Sequence, residues 1–207
     1  MKKLLLLAIA TLAFGATAAT AAAPASVTIN PEQRVVFFGG SVTLSGTVSP
    51  VAAGQTVTVT QTPQDRKPVS RQVTPGSDGS YSLDISPRIQ TQVEASYQGA
   101  KSQPQVIFVR PRVGLRKYGK SRFAVSVLAA QSFVGKYVMI TRWDTRAHKW
   151  RNVKKVFLTR YVKSTGTSTA AFTLRTAGKR TKIRAFLSNA QARPGYVYGY
   201  SNFIVTR

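Results

Sequence analysis

The chain has no cysteine, one histidine and only six acidic residues among 207. Without thiols there is no disulfide, no thiolate nucleophile, no thiolate zinc site and no lipid attached through an N-terminal cysteine. With His148 alone and no clustered acids of the calcium-loop type, the usual metal-ligand sets cannot be assembled. The expectation is therefore no metal and no cofactor. Scarce carboxylates also weigh against catalysis, because general acid–base work needs paired titratable groups with split pKa values. Asp144 and His148 stand four residues apart in a turn, with no nucleophile placed against them. A glycosidase-type carboxylate pair is excluded from the C-terminal half. Asn152, Asn189 and Asn202 lack the neighbouring acid that a Lys–Asn crosslink requires, apart from Asp144. No glycine-rich phosphate loop follows a strand. The reading is a non-enzymatic protein.

Long apolar runs are also missing, with one exception. Lys2 and Lys3 precede the apolar stretch Leu4 to Phe14, and small residues follow from Gly15 to Ala25. That order is the pattern of a cleaved export signal, and the apolar run is short for a membrane span. Residues 1–25 are assigned to it. Pro24 makes cleavage after Ala23 awkward, so the cut is expected after Ala21 or Ala25. The protein is expected to be secreted or held at the cell envelope without a transmembrane segment of its own. Export without cysteine points toward a Gram-positive or actinobacterial source.

What is present is alternation. From Ser26 onward, segments of four to seven residues alternate apolar and polar, separated by Gly, Pro, Asn, Asp and Ser clusters. This is the signature of an all-β antiparallel sandwich. Residues 26–109 give about seven strands. Among them are SVTLSGTV, QTVTVTQT, SYSLDI, QVEASY and QVIFV. Residues 113–207 repeat them in order. GKSRFAVSV answers GGSVTLSGTV, Val138 and Ile140 answer Val57 and Val59, STAAFTL answers GSYSLDI, and TKIRAF answers TQVEAS. Matching order and spacing over this length marks a tandem duplication. Pro111 stiffens the short link VRPRV, so two beads with limited swing are expected.

The run YVMITRW, KWRNVKKV, FTLRTAGKRTKIRAF and SNFIVT resembles the immunoglobulin-like repeats of exported actinobacterial and other Gram-positive proteins. Trp150, Val153, Phe172, Ile183, Arg184 and Ser201 carry the resemblance. The first module matches through SVTLSGTVSP and SDGSYSL but has Lys67 and Pro68 near the place of the tryptophan. The resemblance implies two tandem immunoglobulin-like sandwiches, with Trp150 packed toward the interior. It implies adhesive, binding or spacer roles and does not choose among them.

Charge separates the halves. Residues 24–109 hold six Lys and Arg against five acids, whereas residues 110–207 hold 22 against Asp144 alone. Such one-sided charge repels itself, and a polyanion is the default compensation; the competing reading, a solubility or lineage-wide composition effect, is weakened by the near-neutral first half. The hairpin KYVMITRWDTRAHKWRNVKKV concentrates it. In TKIRAF, Ile183 and Ala185 should point inward and Lys182 and Arg184 outward. On the returning hairpin strand, Arg151 and Lys155 should share a face with Val153, with Lys154 opposite. The expected polyanion-binding set is Lys149, Arg151, Lys154, Lys155, Lys182 and Arg184, with Lys136 and Arg142 at its ends. Trp143, Tyr196, Tyr198 and Tyr200 are candidate stacking residues for bases or sugars. The competing reading is that the tyrosines cover the sandwich edge or form the tyrosine-type corner of such folds. The candidate partners are anionic wall polymer, acidic polysaccharide, anionic lipid head groups and extracellular DNA. If about five phosphates were neutralised, log affinity would fall against log salt with a slope of roughly −4. The rival is a structural spacer or envelope assembly subunit that pairs through its sheet edges with an acidic partner protein.

Overall fold

The structure is a computed structural model and describes residues 23–175 and 180–206. Most of the expected leader, including Ala21, lies outside the described residues. The N-terminal half forms β1 (Ser26–Val27), β2 (Asn30–Pro31), β3 (Val35–Phe37), β4 (Val42–Ser49) and β5 (Val57–Pro63). It continues with β6 (Val69–Val73), β7 (Ser80–Ile85), β8 (Thr91–Tyr97), β9 (Ala100–Lys101) and β10 (Gln105–Arg110). The C-terminal half forms β11 (Arg112–Lys117), β12 (Arg122–Leu128), β13 (Tyr137–Asp144), β14 (Lys149–Phe157) and β15 (Arg160–Val162). After β16 (Thr167–Thr173) and β17 (Thr181–Leu187) comes a single helical turn, α1 (Asn189–Ala192), then β18 (Gly199–Tyr200) and β19 (Ile204–Thr206).

Each half is a pair of sheets. In the C-terminal half the orders are β11-β12-β16-β15 and β14-β13-β17-β18, with β19 also on β17. In the N-terminal half β1, β4, β2 and β7 make one sheet, and β3-β10-β8-β5-β6 with β9 makes the other. The C-terminal half has the immunoglobulin arrangement, in which the first, second, fifth and fourth strands face the third, sixth and seventh, and the N-terminal half shares it except that no strand among the described residues lies beside β7 as β15 lies beside β16. The fold is all-β and the pairing antiparallel, except that β3 runs parallel to β10.

Period-2 alternation explains which residues meet between the sheets. Phe123, Val125 and Val127 of β12 are buried, as are Val138 and Ile140 of β13 and Ile183 and Ala185 of β17. Leu44, Val57, Val59, Val93 and Ala95 do the same work in the N-terminal half. The duplication reaches individual bonds. Ser102 bonds both ways with Ala95, its hydroxyl accepting from the Ala95 N–H and its N–H donating to the Ala95 C=O, each at 2.9 Å. Ser201 and Ala185 repeat this pair at the same distances. Gly79 and Gly166, both at positive φ, each offer a carbonyl at the end of a long strand, Gly79 to the Val48 N–H of β4 and Gly166 to the Ala129 N–H just past β12. A Cβ at either glycine would drive into backbone oxygen, so the turn needs a residue without one.

Only Pro111 separates β10 from β11, and a polar seam crosses there. The Tyr196 hydroxyl donates to the Arg88 carbonyl at 2.7 Å and accepts from the Ala130 N–H at 2.8 Å. The Gln90 N–H donates to Gly195 C=O, the Val197 N–H to Val109 C=O, and Arg112 Nε to Phe38 C=O. Burial pushes the Tyr196 phenol up to about 12.

Candidate anion-binding site

The β13–β14 hairpin governs where the charge faces. Cross-strand partners share a face of a sheet. Ile140 pairs with Lys154 on one side and Ala185 on the other, so this row faces the core. Met139 pairs with Lys155 and Phe186, and this row faces out. Between them the register slips, because Ile140 opposes Lys154 while Thr141 opposes Asn152. Val153 is the extra residue, a β-bulge on an edge strand. It is 42% exposed.

The bulge overturns the expected face. Arg151 and Lys155 do not share one face. Lys155 is on the outer face, whereas Arg151 pairs with Arg142, which pairs on its other side with Ile183 in the inward row. Lys154 does lie opposite Lys155, and its ammonium reaches across the sandwich edge to donate to Thr173 C=O at 3.0 Å. The expected basic set is thus divided. Lys155, Lys182 and Arg184 are on the outer face, Lys154 serves the edge, and Lys149, Arg151 and Arg142 gather at the hairpin tip. Lys136 sits at the opposite end of the hairpin. Trp150 is not in the core either. It pairs with Trp143 on the outer face, the two rings meeting edge-to-face at 5.5 Å.

A stripe of alternating rings and guanidinium groups crosses this outer face. Arg184 lies 4.2 Å from the Trp150 ring centroid and 5.3 Å from that of Tyr200. Tyr200 stacks on Tyr198 at 6.4 Å. Arg110 sits over Tyr198 at 4.6 Å, over Tyr200 at 5.7 Å, and over Phe37 of the N-terminal half at 5.6 Å. Such contacts are each worth about 0.5–2 kcal/mol, more as they are desolvated. Among the described residues, the Nε atoms of both arginines are buried without a hydrogen-bond partner. Desolvation lowers the pKa of Arg184, and Tyr200 opposes this. Lys155 over Tyr137 and Lys182 over Phe203 extend the pattern at 5.0 and 4.9 Å. Tyr198 and Tyr200 are therefore on an exposed aromatic face. Tyr196 is not: it is 1% exposed and belongs to the seam.

The stripe's far end opens into a groove at the tip of the C-terminal sandwich, away from the junction. The groove measures about 740 Å³ and is lined by Arg142, Arg146, Arg180 and Lys182, with Trp143 as its aromatic wall. Its one carboxylate, Asp144, is already engaged. Asp144 accepts from the backbone N–H groups of Arg146 and Ala147 and pairs with Arg151 at 2.5 Å. The Ala147 bond first, and Arg151 next, hold its carboxyl below the usual aspartate range. Arg146 and Arg180 escape a reading of the sequence because both stand outside strands, where alternation assigns no face. The signal that could have found them is the turn itself, which brings Arg146 beside the start of β17. His148 is exposed in the same turn, at a φ of 46°.

No family model and no curated protein matches the chain. Among solved structures it is similar to a tetra-tandem repeat from the extending region of a large adhesion protein, with 18% identity and a TM-score of 0.37. That match covers 89% of this chain and 50% of the other, so the chain spans half the length of that structure. It is also similar to a marsupial T cell receptor, with 11% identity and a TM-score of 0.34, covering 87% of this chain and 100% of the other. No helix among the described residues is long and apolar enough to cross a membrane.

Proposed function

We propose that this is an exported, non-enzymatic binding protein that attaches to polyanions through the tip groove and basic outer face of its C-terminal sandwich. The observation that carries the reading is the groove. Four cations converge on one concavity whose single carboxylate is taken up by Arg151 and by the turn's own N–H groups. An anionic group entering it meets positive charge without a competing free acid. The mechanism is neutralisation with release of counterions, which is strongly salt-dependent and weakly selective. Trp143 offers a face on which a sugar ring or base can stack. Lys182 belongs to both groove and outer face, so a polymer can continue from one to the other past Lys155. Anionic wall polymer, acidic polysaccharide and extracellular DNA all present charge in this way. In this reading residues 26–109 form a separate module, a spacer or a second contact surface.

The test is salt-gradient elution of residues 23–207 from heparin, DNA and wall-polymer columns. One variant replaces Arg142, Arg146, Arg180 and Lys182 with Gln. A control removes the same charge from the other sheet and its loops, as Arg116→Gln, Lys117→Gln, Arg160→Gln and Lys163→Gln. Because it can neutralise four fewer anionic groups, the groove variant should elute at much lower salt, its log–log slope flatter by about 3. The control should elute near the wild type. Equal weakening in both variants would mean diffuse charge and would sink the groove.

A second reading, a structural spacer or envelope assembly subunit that pairs with an acidic partner protein, draws on the polar seam at Pro111. Its edge-pairing version is disfavoured at β14. There a bulge and a run of lysines and arginine occupy the edge strand, the devices that prevent strand addition.

A further inference from the structure

The near-neutral N-terminal half holds its few cations unevenly. Arg66, Lys67, Arg71 and Arg88, four of the six basic residues in residues 24–109, line one concavity beside the junction. We propose that it is a second binding site, separate from the tip groove, for a small ring-bearing organic anion: a monocyclic phosphate or carboxylate.

The site is built from the sandwich's own opening. β6 is an edge strand that overhangs the core. Val69 pairs with Gln61, and Arg71 with Val59, which is fully buried, so Val69 and Arg71 sit on the core-facing side of the overhang. The floor comes from Pro87 and Ile89, and Ala130 closes it from the C-terminal half. That backbone is tied down. Arg88 C=O accepts from Tyr196, the Gln90 N–H donates to Gly195 C=O, and the Gln64 N–H donates to Gln90 C=O. Arg88 itself lies 5.9 Å from the Phe38 ring centroid.

An inward cation on an edge strand can be explained as protection against strand addition. Comparison with the other half separates the cases. Lys154 holds the equivalent place to Arg71, since Ile140 and Ala185 answer Val59 and Ala95. Lys154 spends its charge on Thr173 C=O. Among the described residues, Arg71 and Lys67 have no hydrogen-bond or ion-pair partner. Asp65 pairs with Arg66 at 3.7 Å and offsets that cation alone. Edge protection needs one charge, and three remain here around an apolar floor. The cavity, about 290 Å³, is at the small end of ligand sites and fits one ring with its anionic head. The head meets Lys67, Arg71 and Arg88, and the ring meets Ile89, Pro87 and Ala130.

The test is methyl NMR on residues 23–207, following Ile89 and Ala130 during titration with phenyl phosphate, benzoate, inorganic phosphate or benzyl alcohol. Phenyl phosphate or benzoate should move both methyls saturably with a Kd of about 1 mM or below, and comparison of the two ranks the head groups. Inorganic phosphate and benzyl alcohol should bind at least about tenfold more weakly, because each keeps half of the recognition. A Lys67→Gln/Arg71→Gln variant should lose about tenfold as well. Both side chains are exposed, and an unchanged ligand-free spectrum certifies the fold. An Arg142→Gln/Lys182→Gln variant should bind phenyl phosphate like the wild type, so failure here and failure of the tip groove are told apart. Non-saturating shifts, equal binding of benzyl alcohol, or an unaffected Lys67/Arg71 variant would overturn the proposal.

Discussion

Tyr196→Phe removes one oxygen and nothing else, at the point where the halves meet. The ring stays, against Phe133 at 5.8 Å. The hydroxyl is lost as donor to Arg88 C=O and acceptor from Ala130 N–H, one partner from each half. The residue is 1% exposed, so water does not simply replace it. Leaving a buried polar partner unpaired costs about 1–3 kcal/mol, and two partners here give about 2–4 kcal/mol after partial relaxation. In urea this lowers the midpoint by about 1–2 M. The assay is equilibrium denaturation followed by tryptophan fluorescence, which reports the C-terminal half through Trp143 and Trp150, and by circular dichroism, which reports both. The wild type should unfold with coincident transitions, and Tyr196→Phe should separate them by weakening the seam. Tyr198→Phe, on the exposed face, is the control and should move the midpoint little. A loss below about 0.5 kcal/mol, with the transitions still coincident, would refute the view that this hydroxyl couples the halves.

High pH should act through the same residue. Burial raises both Tyr81 and Tyr196 to about 12 from an ordinary value of 10.0. Folded-state pKa values above the unfolded ones mean stability that is complete below pH 10 and lost as pH rises through 12. The thermal midpoint should therefore fall across that window, and less so in Tyr196→Phe. Within the stripe, Arg184→Ala should cost about 2–3 kcal/mol, because it removes two cation–ring contacts and the stem that covers them. Arg184→Met keeps the stem and relieves a buried unpaired Nε, so it should cost about 1 kcal/mol or less. Urea midpoints of the two variants check the difference, and equal losses would show that charge rather than cover is what the rings require.

Strands were readable from alternation because two sheets around one core impose period 2 on nearly every segment. Ile183 and Ala185 inward, and Lys182 and Arg184 outward, follow from that alone. The parity failed at Val153. A bulge costs no apolar residue and leaves no gap in the pattern, so Arg151 and Lys155 looked like neighbours on one face. The same slip put Trp150 on the outside, where Arg184 can stack on it. Tyr196 departs from the stacking reading for a different reason. Its spacing from Tyr198 and Tyr200 is that of a strand, but it precedes β18, in the loop closed by Gly195, and turns into the seam. The tip groove was legible only as a charge count. Arg142, Arg146, Arg180 and Lys182 come from segments nearly forty residues apart, and only the hairpin's pairing with β17 sets them together.

Arg71 and Lys154 occupy one position in the two copies, each an inward cation on the strand that ends a sheet. If the chain gathers on a long polymer, as proposed above, this sets how crowding ends. Copies held side by side at high density would otherwise zip edge to edge and become insoluble. With both overhanging edges charged, and one bulged as well, lateral neighbours repel along their open backbones. On that proposal crowded copies stay separable, and a coat of this protein would build up and disperse with salt.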